Sequence, residues 1–171
     1  MINVVDLHPD DTAARQQIRD QLRAARHATG LSQRGLAARV GVVHSAIVHA
    51  EANTSWRMST LRRYARGLDL ELLAYPTGLP KPPADVAALA GMVTATRRGD
   101  SFAVAALVAE IAAAREALGL TKADMARRLG VVDRGVRAIE NCAHDDIMVV
   151  TAQRMCRVLG GRLVLELGEL S

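Results

Sequence analysis

The chain has 171 residues, enough for one large or two small domains. Half of them are hydrophobic but only 2% are aromatic, so any core is built from Ala, Val, Leu and Ile. No apolar run approaches the ~20 residues of a membrane span, and the acidic start MINVVDLHPDD is unlike a signal peptide, which excludes a membrane protein and places the chain in the cytosol.

The net charge of +4 is unevenly spread. Residues 13–76 hold ten Arg against four carboxylates, a balance of +6, whereas residues 101–171 hold nine bases and nine acids. The tail (Asp6, Asp10, Asp11) is acidic, and 77–100 is close to neutral. A basic first half points to a polyanionic partner and assigns tighter binding to that half. The bases are almost all Arg, which suits bidentate contacts, although a GC-rich genome gives the same bias.

Residues 1–10 read as a loose or partner-dependent tail. A helix follows from about Asp11 to Thr29, with Ile18, Leu22 and Ala25 on one face. Ser32 is then an N-cap candidate, Leu36, Ala37 and Val40 form an apolar stripe, and Gly41 stands where the helix must stop and reverse. A second short helix follows, with Ile47 and Ala50 inward. After a loop comes a third apolar-periodic helix, about Ser59–Gly67, and then Leu68–Leu72, alternating with period two as a half-buried strand does. Pro76, Pro80, Pro82 and Pro83 gather four of the five prolines, so TGLPKPP reads as a stiff linker. Residues 84–98 read as an extra Ala-rich amphipathic helix, serving as packing material or, less readily, as an oligomer contact.

The same plan then recurs. Residues 119–140 (GLTKADMARRLGVVDRGVRAIE) repeat residues 30–51 (GLSQRGLAARVGVVHSAIVHAE) 89 positions on, without gaps. Gly30/Gly119, Leu31/Leu120, Ala37/Ala126, Arg39/Arg128, Gly41/Gly130, Val42/Val131, Val43/Val132 and Glu51/Glu140 are identical. The flanking helices recur at about Ser101–Leu118 and Met148–Leu159, and the strand at Leu163–Leu167. A lone strand needs a partner. Pairing of the two strands with each other is the economical solution, pairing between chains in a homodimer is the rival, and the sequence does not choose.

Helix, Gly-containing turn and helix make a helix-turn-helix. On Gly30, Leu31, Ser32, Gln33, Leu36, Ala37, Gly41, Val42, Ile47 and Glu51, and on their counterparts in the second copy, the chain resembles the lambda-repressor-like (Cro/XRE) helix-turn-helix family. The resemblance implies an all-α fold of two tandem five-helix domains, each ending in a short β-strand: 1–76, a linker and connecting helix at 77–100, and 101–171. It implies a sequence-specific double-stranded-DNA-binding transcriptional regulator, most readily a repressor of phage or mobile-element type, cytoplasmic and nucleoid-associated.

In this family the second helix of the motif enters the major groove. Carried over residue by residue, the readers are His44, Ser45 and Ala46, with His49 a turn on. Gln33 touches phosphate and braces the reading helix, Arg34 lies beside it, and Asn53, Thr54 and Arg57 fall in the loop that grips the backbone. In the second copy the positions are Asp133, Arg134 and Gly135, with Lys122 replacing the Gln and Arg137 an extra exposed candidate. Two departures stand out. Val43 and Val132 occupy the cap position where the family has Ser or Thr, and Asp133 can accept from a cytosine amine but is repelled by phosphate. The resemblance also implies a buried Arg–Glu pair in each copy, Arg26 with Glu51 and Arg115 with Glu140.

The five histidines form no H-E-x-x-H or Cys/His cluster, and Cys142 and Cys156 match no ligand spacing, so no metal or cofactor is expected and both cysteines read as reduced, small hydrophobes. Nothing in the chain indicates an enzyme. Trp56 reads as a loop anchor. The partners expected are an operator duplex and a second copy of the chain, paired through the terminal strands or the second repeat. The rival function is an antitoxin or antiactivator in which one repeat mainly holds a protein partner.

Overall fold

The computed structural model describes residues 8–81, 99–141 and 146–169. The expected helix over 84–98, Cys142 and the first seven residues of the tail lie outside them. Four helices, α1 (Pro9–Ala28), α2 (Gln33–Val40), α3 (His44–Ala52) and α4 (Met58–Arg66), lead into strand β1 (Leu70–Thr77). The order then repeats as α5 (Gly99–Ala117), α6 (Lys122–Leu129), α7 (Asp133–Glu140), α8 (Val149–Val158) and β2 (Arg162–Glu169).

Local chemistry sets the boundaries. Helix α1 starts earlier than the periodicity suggests, because Pro9 suits the first turn, where its missing N–H costs nothing, and His8 caps it by accepting from the Asp10 amide. Residues 8–10 are therefore structured, which corrects the reading of the tail over those positions. Both strands sit later or longer than expected. Leu68 and Asp69 form the reversal out of α4, with Asp69 left-handed (φ 59°), and Gly160 makes the equivalent reversal (φ 85°) after α8. Asp tolerates that region through short polar contacts, and here its carboxylate also takes two 2.8 Å bonds from Arg39. Pro76 and Thr77 belong to β1 rather than to the linker. A two-stranded sheet has only edges, so a proline without a donor is accommodated.

The two strands pair with each other, antiparallel, in one sheet. The alternative in which each strand looks to a second chain is not what the fold uses. Leu72, Pro76, Leu163 and Leu165 are buried on one face, and Leu73 and Tyr75 are exposed on the other. Past α3 and α7, equivalent positions of the two halves lie 91 residues apart, since the second half has two more residues in that loop. On that offset the sheet register centres on Ala74 opposite Leu165, which are equivalent to each other. A second contact has the same property. Arg57 and Met148 form an isolated antiparallel bridge, in which the Met58 amide donates to the Ile147 carbonyl (2.8 Å) and the Val149 amide donates to the Trp56 carbonyl (2.9 Å).

The halves share one core. Ile18, Leu22, Leu36, Ile47, Leu61 and Leu72 belong to the same buried cluster as Leu107, Ile111, Met125, Val136, Met155 and Leu163. Helix α1 packs on β2 and α5 on β1 and α4, so the first helix of each half lies against the other half. Polar side chains clasp that crossing. Arg157 donates to the Asp11 carboxylate at 2.8 to 3.1 Å, Arg15 donates to the Gln153 amide oxygen, and the Gln153 amide donates to the Asp11 carbonyl at 3.0 Å. Asp11, Arg15 and Gln153 are all buried, so each bond replaces water that the site excludes. At the bridge, Asp146 accepts from the Ser59 amide at 3.0 Å, supplying α4 with the cap that Arg57 does not.

Candidate nucleic-acid interface

The second helix of each helix-turn-helix is positioned from the residues upward. Ser32 Oγ accepts from the Gly35 amide at 2.9 Å, which starts α2. Thr121 does the same for Asp124 (3.1 Å), and Asp124 reaches back to the Thr121 amide (3.0 Å), a full capping box. Leu36 and Ala37, like Met125 and Ala126, face the core. Gly41 (φ 66°) and Gly130 (φ 68°) then turn the chain left-handed, and the next amide closes the turn on Ala37 or Ala126 at 3.0 Å. The following helices, α3 and α7, begin at Val43 and Val132, which give no side-chain cap and are 70% and 74% exposed.

Ile47 and Ala50 are buried under α3, and Val136 under α7, with Ile139 half-buried. The opposite face of α3 presents His44, Ser45 and His49 to solvent, with Ala46 half-buried at its edge. Asn53 Nδ2 lies 3.0 Å from His49 Nδ1, while Asn53 Oδ1 accepts from the Ser55 amide at 3.0 Å. With the amide donating, His49 Nδ1 is taken up as an acceptor, which leaves Nε2 as the other polar atom of this exposed ring. Arg34 and Arg57 are exposed, Arg57 at the bridge with Met148, and Thr54 is half-buried. Trp56 is buried with its indole N–H donating to the Ala50 carbonyl at 2.9 Å, so it anchors the loop to the end of α3.

The second face differs. Arg134 is exposed, Gly135 is half-buried, and Arg137 Nε donates to Asp133 at 2.6 Å, an i,i+4 pair at the start of α7. Asp133 is thus partly neutralised before any ligand arrives, and Arg137 is less free than its exposure suggests. Lys122 sits 3.6 Å from Glu140 and donates to Asn141 at 3.2 Å.

Beneath each face lies the expected Arg–Glu pair. Arg26 Nε and Nη2 reach Glu51 at 2.6 and 3.0 Å, and Arg115 reaches Glu140 at 2.7 and 2.9 Å. Both guanidiniums also donate to the carbonyl before the next helix, Leu31 or Leu120. The pair therefore ties the first helix, the turn and the end of α3 or α7 together. Gln33 donates to Glu51 at 2.9 Å, which ties the start of α2 to the end of α3. Tyr64, which sequence reasoning passed over, donates its hydroxyl to the same carboxylate from α4. Burial alone would raise the pKa of Glu51, but the bonds from Arg26, Tyr64 and Gln33 outweigh it and hold the carboxyl down at about 2. Burial and the Glu51 charge push the Tyr64 hydroxyl upward, so it stays a donor. The available signal for Tyr64 was a lone hydroxyl in an otherwise apolar stripe. The Asp11, Arg15, Gln153 and Arg157 clasp had none, its members being 138 to 146 positions apart.

Cys156 is buried with its thiol pushed up to about 12 by burial, an inert packing residue. Among the described residues, no group of three or more His, Cys, Asp or Glu could hold a metal ion, and no helix is long and apolar enough to cross a membrane.

Residues 111–165, from within α5 to within β2, match the helix-turn-helix family. The segment has the helix, glycine turn and helix of a Cro/XRE-like helix-turn-helix domain. The match falls on the electroneutral half and leaves residues 30–51 outside it. No curated protein and no solved structure matches the chain.

Proposed function

We propose that the chain is a sequence-specific, double-stranded-DNA-binding transcriptional regulator made of two tandem repressor-like heads, 1–76 and 101–171, each with four helices and a strand among the described residues rather than the five helices the resemblance implies. Its reading helices α3 and α7 enter the major groove. The observation that carries this reading is the family match at 111–165 taken with its twin: α2–α3 has the same caps, the same left-handed glycine and the same Arg–Glu clasp as α6–α7. Repression, and a phage or mobile-element origin, rest on the resemblance of residues 30–51 and 119–140.

His44, Ser45 and Ala46 meet base edges first, and Nε2 of His49 donates to a purine acceptor. Gln33, Arg34, Asn53, Thr54 and Arg57 contact phosphates, which position the head without reading sequence. In the second head Lys122 serves the backbone, Asp133, Arg134 and Gly135 stand at the base-edge positions, and Asp133 and Arg137 act as one paired unit. With a balance of +6 over residues 13–76, the first head supplies most of the counterion release.

Selection of bound sites from random duplex DNA, followed by salt titration on the winner, tests the reading. An enriched motif whose affinity falls steeply with salt is expected. A selection that enriches nothing would sink it.

A further inference from the structure

We infer that a single chain reads its operator with both heads, placed by an internal two-fold axis on two inverted but unlike half-sites at one fixed spacing. The inference rests on the DNA-binding reading above and adds the architecture of the site.

Two contacts define the axis. The antiparallel sheet centres on Ala74 and Leu165, and the bridge centres on Arg57 and Met148. Each is a pair of equivalent residues meeting each other, as happens only on a two-fold. The bridge bonds are reciprocal in the same way, Met58 to Ile147 and Val149 to Trp56. Tandem heads on a flexible tether would accept direct repeats or variable spacing. Heads related by a dyad read inverted sequences, as the two subunits of a symmetric dimer do.

The spacing is fixed because the halves interlock. Helix α1 lies on β2, α5 lies on β1, and the buried Asp11, Arg15, Gln153 and Arg157 contacts hold that crossing. The axis also runs close to both reading helices. From Ala52, the end of α3, to Arg57 is five residues, at most about 18 Å of chain. The two-fold doubles this, and with the ~5 Å between bridged residues the near ends of the helices lie at most about 41 Å apart, within which successive major grooves, ~34 Å apart, are reachable. The half-sites differ because the heads do: His44, Ser45, Ala46 and His49 on one, and Asp133, Arg134, Gly135 and Ala138 at the same places on the other. The contact that would hold a second chain is already filled from within.

The test uses the full chain on its selected duplex, with stoichiometry from native mass spectrometry and contacts from footprinting. One protein per duplex is expected, protecting two inverted, dissimilar half-sites. Inserting about half a helical turn between them should weaken binding at least about tenfold, as loss of the second foothold requires. Two chains on a perfect palindrome, a direct repeat, one half-site alone, or indifference to the insertion would overturn the inference while leaving DNA binding intact. No bound duplex at all would overturn both.

Discussion

Glu51 and Glu140 end the two reading helices at equivalent places, yet their surroundings differ. Glu51 accepts from Arg26, Gln33 and Tyr64, whereas Glu140 meets Arg115 and Lys122. Around Arg26 the first half closes its clasp with the neutral donors Gln33 and Tyr64, and Arg34, Arg57, Arg63 and Arg66 are exposed. The second half spends a lysine on the clasp, has Met155 where Tyr64 stands, and pairs Arg137 with Asp133. The same scaffold thus carries an electropositive face on one side and a largely self-neutralised face on the other. Family likeness and charge point to different halves, because one reflects the framework of buried and capping residues and the other the surface laid over it.

Removing a clasp carboxylate strands a buried guanidinium, the largest expected effect. Glu51→Ala and Glu140→Ala should each cost about 3–5 kcal/mol in denaturant unfolding. Because both halves share one core, either variant should unfold in a single transition followed through Trp56. Two separate transitions would break the account of an interlocked molecule. Acid sharpens the comparison. The folded pKa of Glu51, about 2, lies below its ordinary 4.5, so the stability this group contributes is complete above pH 4.5 and is lost as pH falls through about 2. Thermal unfolding measured across that window should show the loss in the wild type and a flatter profile in Glu51→Gln.

The junction of α2 and α4 gives a smaller effect. A Cβ on Gly67 would stand 2.3 Å from Val40 Cγ1 and 2.7 Å from Leu36 Cδ1, and the second half has Val158 at the same position. Gly67→Ala should destabilise by about 1–3 kcal/mol through overpacking; an unchanged unfolding midpoint would show that α2 gives way freely. Smaller still are the caps. Ser32→Ala should cost about 1 kcal/mol, and Thr121→Ala somewhat more, since it also dismantles the bond to Asp124.

The repeat, the caps at Ser32 and Thr121 and the glycine turns were legible in the sequence, because each depends on local spacing or on recurrence 89 positions later, whereas the Arg–Glu pairs were implied by the family resemblance. The strand limits were not. They depend on the left-handed reversal at Asp69 and on a sheet that tolerates Pro76, and neither has a periodic signature. Strand partners stayed open between two solutions until the Ala74–Leu165 register chose the intrachain one. The crossing of α1 onto β2 and the Asp146 cap on α4 link distant residues whose spacing has no meaning of its own. At the interface, exposure of His44, Ser45, His49 and Arg134 follows from helical period, whereas the bonds Asn53–His49 and Asp133–Arg137 decide which ring nitrogen and which cation remain available.

The most direct test compares the two faces on one selected duplex by equilibrium binding. Replacing the first face with the double change His44→Ala and His49→Ala should weaken binding by about 1–3 kcal/mol and relax sequence preference at its half-site. Arg134→Ala should cost less and lower the salt slope by about one. If the first-face change left affinity and preference untouched while Arg134→Ala abolished binding, the electroneutral half would be the reader and the account of the basic half would be contradicted.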